Sequence, residues 1–341
     1  MRRHELYEFQ RDALVLDIHL HDRGLFPPLV RRLHELVLRG TAPPFRSLGA
    51  CRVGGVDGGI VCPVGDFPVN WKNPARANLG PVARDLRAIR AAVGESGGAV
   101  VASAAEVLAA KRAGRPAFVL GLEGGNPLGQ NLDNLQALRA EGVLALTLVH
   151  FSDNALGTVE TTALEYWGRG ERKKKTRGLT SLGEAAIRKM NDLGMIVDLA
   201  HADRETLGDV VRLTRRPVIV SHTGARALGD FKRYIGDDEI RAVASTGGVV
   251  GLWPFYFRGR GMPDIQSFQA HARHVFELTG EDHLAVGTDA HGVPGLMKGY
   301  WGLTDAPVLT AALFEAGFTE PRVRKILGLN FLRVMAENQP A

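Results

Sequence analysis

The sequence predicts an α/β protein of the (β/α)8 TIM-barrel type, folded as a single domain over residues 1–341 with its core at about 13–335. Three observations predict it. Eight short apolar, β-branched runs recur along the chain, amphipathic patterns lie between them, and six of the runs finish on histidine, glutamate or aspartate. Near-continuous apolar strands alternating with helices indicate parallel strands covered on both faces. A doubly wound open sheet shares that alternation, but no Gly-rich dinucleotide fingerprint follows the first run.

The first run, "ALVLDIHLH" (13–21), places Asp17, His19 and His21 two apart, so strand alternation puts all three on one face. "GGVDGGIVCPV" (54–64) is the second run, followed by "AFVLGLE" (117–123), ending at Glu123, and "VLALTLVH" (143–150), ending at His150. A helix is expected over "LGEAAIRKMNDLG" (182–194), with Thr180 or Ser181 as its cap and Gly194 as its stop. "MIVDLAH" (195–201) ends at His201, the helical pattern "RETLGDVVRLTRR" (204–216) follows, and "PVIVSH" (217–222) ends at His222. "GGVVGLW" (247–253) is the seventh run. A last amphipathic segment, "IQSFQAHARHVFELTG" (265–280), stops at Gly280 before "HLAVGTD" (283–289) ends at Asp289.

Strand C-termini of such a barrel converge on one mouth, so residues far apart in sequence gather there. Four histidines and a glutamate suit two borderline-soft divalent ions, zinc first. His19 and His21 are expected on one ion, His201 and His222 on the other, and Glu123 across both. Metals so held lower the pKa of a bridging water, giving a hydroxide that attacks a carbonyl. Asp289 is placed to take the nucleophile's proton and return it to a leaving nitrogen. His150 suits donation to the developing oxyanion. Arg233, eleven positions after His222, is the candidate for bidentate binding of a substrate carboxylate.

Composition limits the alternatives. Lys plus Arg number 42 against 37 Asp plus Glu, an excess of 42 − 37 = 5 that is modest for the length. With aromatics at 7% and no binding motif, nucleic acid is not an expected partner. No run approaches a membrane span, and no continuous apolar stretch follows Arg2 and Arg3, so a cytoplasmic protein is expected. Two cysteines, Cys51 and Cys62, do not make a disulfide scaffold. The basic run "RGERKKKTRG" (169–178) reads as a solvated loop or as a flap attracting anions to the mouth.

The motifs "LGLEGG" (120–125), "LALTLVHFSDN" (144–154), "GLTSLGEAAIRKMNDLGMIVDLAH" (178–201), "PVIVSHTGARAL" (217–228) and "DHLAVGTDAHG" (282–292) occur in collinear order. With them the chain resembles the membrane (renal) dipeptidase family of zinc peptidases, within the amidohydrolase-like barrels. The resemblance implies hydrolysis of dipeptides or related small amides, two zinc ions per chain and a homodimer. It implies acceptance, in some members, of a D-residue at the C-terminal position. His19, Glu123, His201 and His222 match family metal ligands, His150 and Arg233 match substrate-binding positions, and Asp289 matches the acidic residue of the final strand. Two departures stand out: His21 where the family has Asp, and His291 where it usually has a second Asp. The first makes one ion the alternative to two. The expected function is a zinc-dependent, dipeptidase-like hydrolase. The alternatives are an amidohydrolase acting on another small amide, lactone or N-acyl amino acid, and a non-catalytic metal-binding protein.

Overall fold

The computed structural model describes residues 3–22, 48–66, 78–166 and 178–339. The basic run lies outside these residues except for Gly178. Eleven strands are present among them: β1 (Asp17–Leu20), β2 (Gly58–Val61), β3 (Ala99–Val101), β4 (Ala117–Glu123), β5 (Val143–Thr147), β6 (Ile196–Asp198), β7 (Ile219–Thr223), β8 (Val249–Leu252), β9 (Tyr256–Phe257), β10 (Arg260–Gly261) and β11 (Leu284–Val286).

Eight of them run in the order β1-β2-β4-β5-β6-β7-β8-β11, every neighbouring pair parallel. These are the eight runs expected from sequence. The sheet curls until its edges meet: His21 N donates to Ala290 O at 2.9 Å, and Asp289 N donates to His19 O at 2.9 Å. The result is a nearly closed (β/α)8 barrel in a single domain. Sequence periodicity misses β3, a three-residue strand that pairs with the first half of β4 while β5 takes the second half of the same edge. It also misses the small β9–β10 hairpin.

Side-chain alternation sorts the strands into two packed layers. Ile18, Ile60, Val119, Ala145, Ile219, Val249 and Ala285 form one buried cluster. Their neighbours Val61, Leu120, Leu146, Val220, Val250 and Val286 pack into the larger cluster shared with the helices. The expected helices form with their expected caps: Ser181–Leu193 starts at Thr180, whose side chain accepts from Gly183 N, and stops at left-handed Gly194. The helix Arg204–Leu213 ends three residues before its expected limit, at Thr214, whose backbone is already extended. Among the described residues no helix is long and apolar enough to cross a membrane.

One expectation about β1 fails. Register slips between Asp17 and Leu20, which breaks strict alternation. Asp17 therefore does not share the face of His19 and His21. It accepts from Thr288 Oγ1 at 2.5 Å and from Thr288 N at 2.9 Å, beside Tyr300 and Leu303.

Candidate metal centre

Glu123 is the last residue of β4, the longest barrel strand and buried throughout. His19 lies in β1 and His222 in β7, while His21 follows β1 by one residue. His150, His201 and Asp289 each follow their strands β5, β6 and β11 by three. His201 and Asp289 have φ of 68° and 52°, and His291 has 69°. Non-glycine residues hold that left-handed backbone only where surrounding structure imposes it, and such residues concentrate at functional sites. Sharp turns after the strands aim these side chains into the mouth.

The groups converge on one carboxylate. Glu123 Oε1 lies 3.1 Å from His201 Nε2, 3.4 Å from His19 Nε2 and 3.7 Å from His222 Nε2. Its Oε2 lies 3.3 Å from His21 Nε2 and 3.6 Å from His150 Nε2. His201 Nε2 and His222 Nε2 are 3.0 Å apart, and His21 Nε2 is 3.1 Å from Asp289 Oδ1. All seven side chains are buried.

Most of the rings are held from behind. His21 Nδ1 donates to Cys62 O at 2.8 Å, and His150 Nδ1 to Asp66 Oδ1 at 2.5 Å. Asp66, fully buried, also accepts from Phe151 N at 2.9 Å and Ser152 Oγ at 3.2 Å. His19 Nδ1 and His222 Nδ1 both face Ser221 Oγ. His291 Nδ1 donates to His21 O at 2.9 Å. Gly292 makes room for the His21–Asp289 pair: a Cβ there would stand 2.6 Å from His21 Cδ2 and closer still to Asp289 Oδ1.

Burial and charge work against each other in this cluster. Burial alone raises a carboxyl's pKa, but the surrounding imidazoles, His150 and His19 foremost, hold Glu123 well below the usual range. Burial also disfavours a charged His21, yet Asp289 and Glu123 outweigh it and push its pKa up to about 10. His150 is likewise raised against burial by Glu123 and Asp66. His201 and His222 sit well below 6.5, through burial first and then through neighbouring cations and imidazoles.

This donor set fits a divalent ion. His19 Nε2 is buried and makes no hydrogen bond. The Nε2 atoms of His201 and His222 face each other at 3.0 Å, and His201 Nδ1 is buried without a hydrogen bond. Imidazole nitrogens at ~2.0–2.1 Å from one tetrahedral zinc stand roughly 3.3 Å apart, close to what is seen here. His19, His21 and Glu123 bring three ligand atoms within 4.8 Å of one another, and so do Glu123, His150 and His201. The second trio contains His150 where the sequence led us to expect His222.

Arg233 stands beside the cluster. It is 4% exposed, its Nε and Nη2 make no hydrogen bond, and burial lowers its pKa to about 10. Its guanidinium lies 5.2 Å from the Trp253 ring, and it shares a small cavity with His201. Trp253 stacks on Phe255 at 4.3 Å and meets His222 edge-on, and Phe151 packs against His150 and His201. The site thus has an aromatic wall.

The fold brings together His19, His21, Glu123, His150, His201, His222 and Asp289, with Arg233 alongside. Sequence reading missed Asp66, Asp198 and Ser221, which support the rings. Asp198 in "IVDLAH" and Ser221 in "VIVSH" each lie within three positions of a singled-out histidine, which is the signal available for them. Asp66 carries no such signal.

A family model described as membrane dipeptidase (peptidase family M19) matches residues 76–341. His19, His21 and Asp66 precede the matched segment. Among solved structures, the chain is similar to a probable dipeptidase from Pseudomonas aeruginosa, at 19% identity and TM-score 0.81 over 98% of both chains. It is similar to an amidohydrolase from the same organism, at 22% identity and TM-score 0.78 over 98% of both. It is also similar to a metallopeptidase from Rhodobacter sphaeroides liganded with a phosphinate mimic of the dipeptide L-Ala-D-Ala. That match has 22% identity and a TM-score of 0.77, covering 95% of this chain and 100% of the other.

Proposed function

This chain belongs to the membrane dipeptidase family and is a metal-dependent, dipeptidase-like hydrolase, and from that premise we propose that it cleaves dipeptides at a two-zinc centre. In this reading His19 and His21 would hold one ion and His201 and His222 the other, with Glu123 as a ligand shared by both. The observation that carries it is the crowding of five imidazole Nε2 atoms, those of His19, His21, His201 and His222 among them, within 3.1–3.7 Å of the Glu123 carboxylate. Zinc held by these residues would supply Lewis acidity and lower the pKa of a water near neutral pH.

The chain's own residues complete the reaction. Asp289, beside His21, takes the proton of the attacking water and returns it to the leaving nitrogen. His150, whose charged form Glu123 and Asp66 favour, donates from Nε2 to the developing oxyanion. Arg233 clamps the substrate's free carboxylate, since two of its nitrogens are buried without a partner. The aromatic wall excludes water from the scissile bond. A D-residue at the C-terminal position is part of the proposal, in keeping with the ligand of the Rhodobacter protein. So is a cytoplasmic homodimer, whose oligomeric state light scattering reads.

A second reading has its own support. Asp289 is engaged by His21, and His291 stands where a second carboxylate is expected, which leaves fewer partners for a substrate ammonium. That favours N-acyl amino acids or another small amide. Mass-spectrometric hydrolysis of L-Xaa-L-Xaa, L-Xaa-D-Xaa and N-acyl amino acid panels by zinc-reconstituted protein separates the two. Metal-dependent cleavage of dipeptides supports the first; cleavage of N-acyl amino acids alone replaces it with the second.

A further inference from the structure

A histidine binds a metal through a bare nitrogen, so its other ring nitrogen carries the proton and needs an acceptor. In β7 one hydroxyl meets two such rings. Ser221 Oγ is fully buried, 3.2 Å from His19 Nδ1, 2.9 Å from His222 Nδ1 and 2.7 Å from Asp198 Oδ2.

Counting protons fixes the direction of each bond. Asp198 Oδ1 accepts from Ala200 N at 3.0 Å and Ser221 N at 2.9 Å, and Oδ2 accepts from Thr147 Oγ1 at 2.6 Å. A carboxylate receiving these donors is an acceptor, so the Ser221 proton goes to Oδ2. A hydroxyl has one proton and two lone pairs. Its other two partners must donate to it. Both His19 and His222 therefore carry their hydrogen on Nδ1, and both leave Nε2 bare toward Glu123.

We propose that Ser221 is a positioning residue shared by both halves of the metal centre, one hydroxyl aimed by Asp198 setting the tautomer of His19 and His222 together. His21 is set independently, by the Cys62 carbonyl. The proposal rests on the metal-centre reading above, in which His19 and His222 serve different ions. Its consequence is coupling: losing the hydroxyl weakens both subsites, although Ser221 touches neither ion.

Zinc titrated calorimetrically into metal-free wild type, Ser221→Ala and Ser221→Thr tests this. Ser221→Ala is expected to bind every ion roughly 10- to 100-fold more weakly, and Ser221→Thr, which keeps the hydroxyl, to restore affinity. Wild-type affinity in Ser221→Ala overturns the proposal, as does loss confined to one of two ions. The unmodified protein gives an independent check that no folding defect can spoil. Long-range proton–nitrogen spectra of the 15N-labelled, metal-free wild type are expected to show Nδ1–H on both rings; a ring protonated only at Nε2 overturns the proposal. A wild type that takes up no zinc defeats the metal-centre reading instead, while the ring tautomers still decide the part played by Ser221.

Discussion

A buried guanidinium without a carboxylate partner is costly, and among the described residues no carboxylate pairs with Arg233, whose Nε and Nη2 make no hydrogen bond. In the proposed function a substrate carboxylate meets that cost. Arg233→Met is therefore expected to raise KM roughly 30-fold or more for substrates with a free C-terminal carboxylate, from the ~2–5 kcal/mol that a buried charge pair loses on truncation. C-terminally amidated substrates should be little affected, and equal loss on both classes counts against the clamp. His201→Ala removes a nitrogen 3.1 Å from Glu123 and should abolish turnover while leaving the circular dichroism spectrum unchanged. Activity retained after zinc reconstitution removes His201 from the centre. Gly292→Ala drives a methyl into the His21–Asp289 pair. It should lower kcat/KM by about 100-fold, as displacements near 1 Å do at reacting groups.

At the scale of elements, the strands and helices were legible because their signals are local. Apolar runs, a capping Thr180 and a stopping Gly194 act within a few residues of themselves. β3 was not legible: three residues are too few to show a period, and β3 exists because the edge of β4 is there to pair with. The slip in β1 was equally hidden, since a bulge depends on the partner strand. Packing between elements also sets a pH response. His271, in the helix Ile265–Thr279, accepts from Ala225 N at 2.9 Å beyond β7, and burial next to His274 lowers its pKa to about 4. The unfolded chain takes up that proton near pH 6.5 and the folded one near 4. Its contribution is thus fully present above pH 6.5 and is lost as pH falls to 4. Urea denaturation should show wild type losing up to about 3 kcal/mol more than His271→Gln over that interval. Parallel pH profiles would contradict this.

At the scale of the whole molecule, the barrel joins the start of the chain to its end. β1 meets the segment after β11 through His21 N to Ala290 O and Asp289 N to His19 O, so the first histidines reach the last aspartate only when the sheet closes. An ion held across these strands ties the closure together, and its binding energy adds to folding. Calorimetry should show melting rise on adding zinc to metal-free protein, by about 2.7 kcal/mol of stability at 100 times the Kd. An unchanged melting temperature would mean that the centre binds no metal in the folded state.

By itself the sequence determined the eight barrel strands, three of the helices between them, and the strand ends that carry Glu123, His150, His201, His222 and Asp289. Period, cap and apolar run are properties of neighbouring residues, and the rule that strand ends share one mouth does the rest. Only the tertiary structure decided that Asp17 leaves the face of His19, that Asp66 holds His150, that two Arg233 nitrogens are buried without a hydrogen bond, and that Ser221 serves two rings. Each of these depends on a register or approach between strands far apart in the chain, and such distances are fixed when the sheet closes.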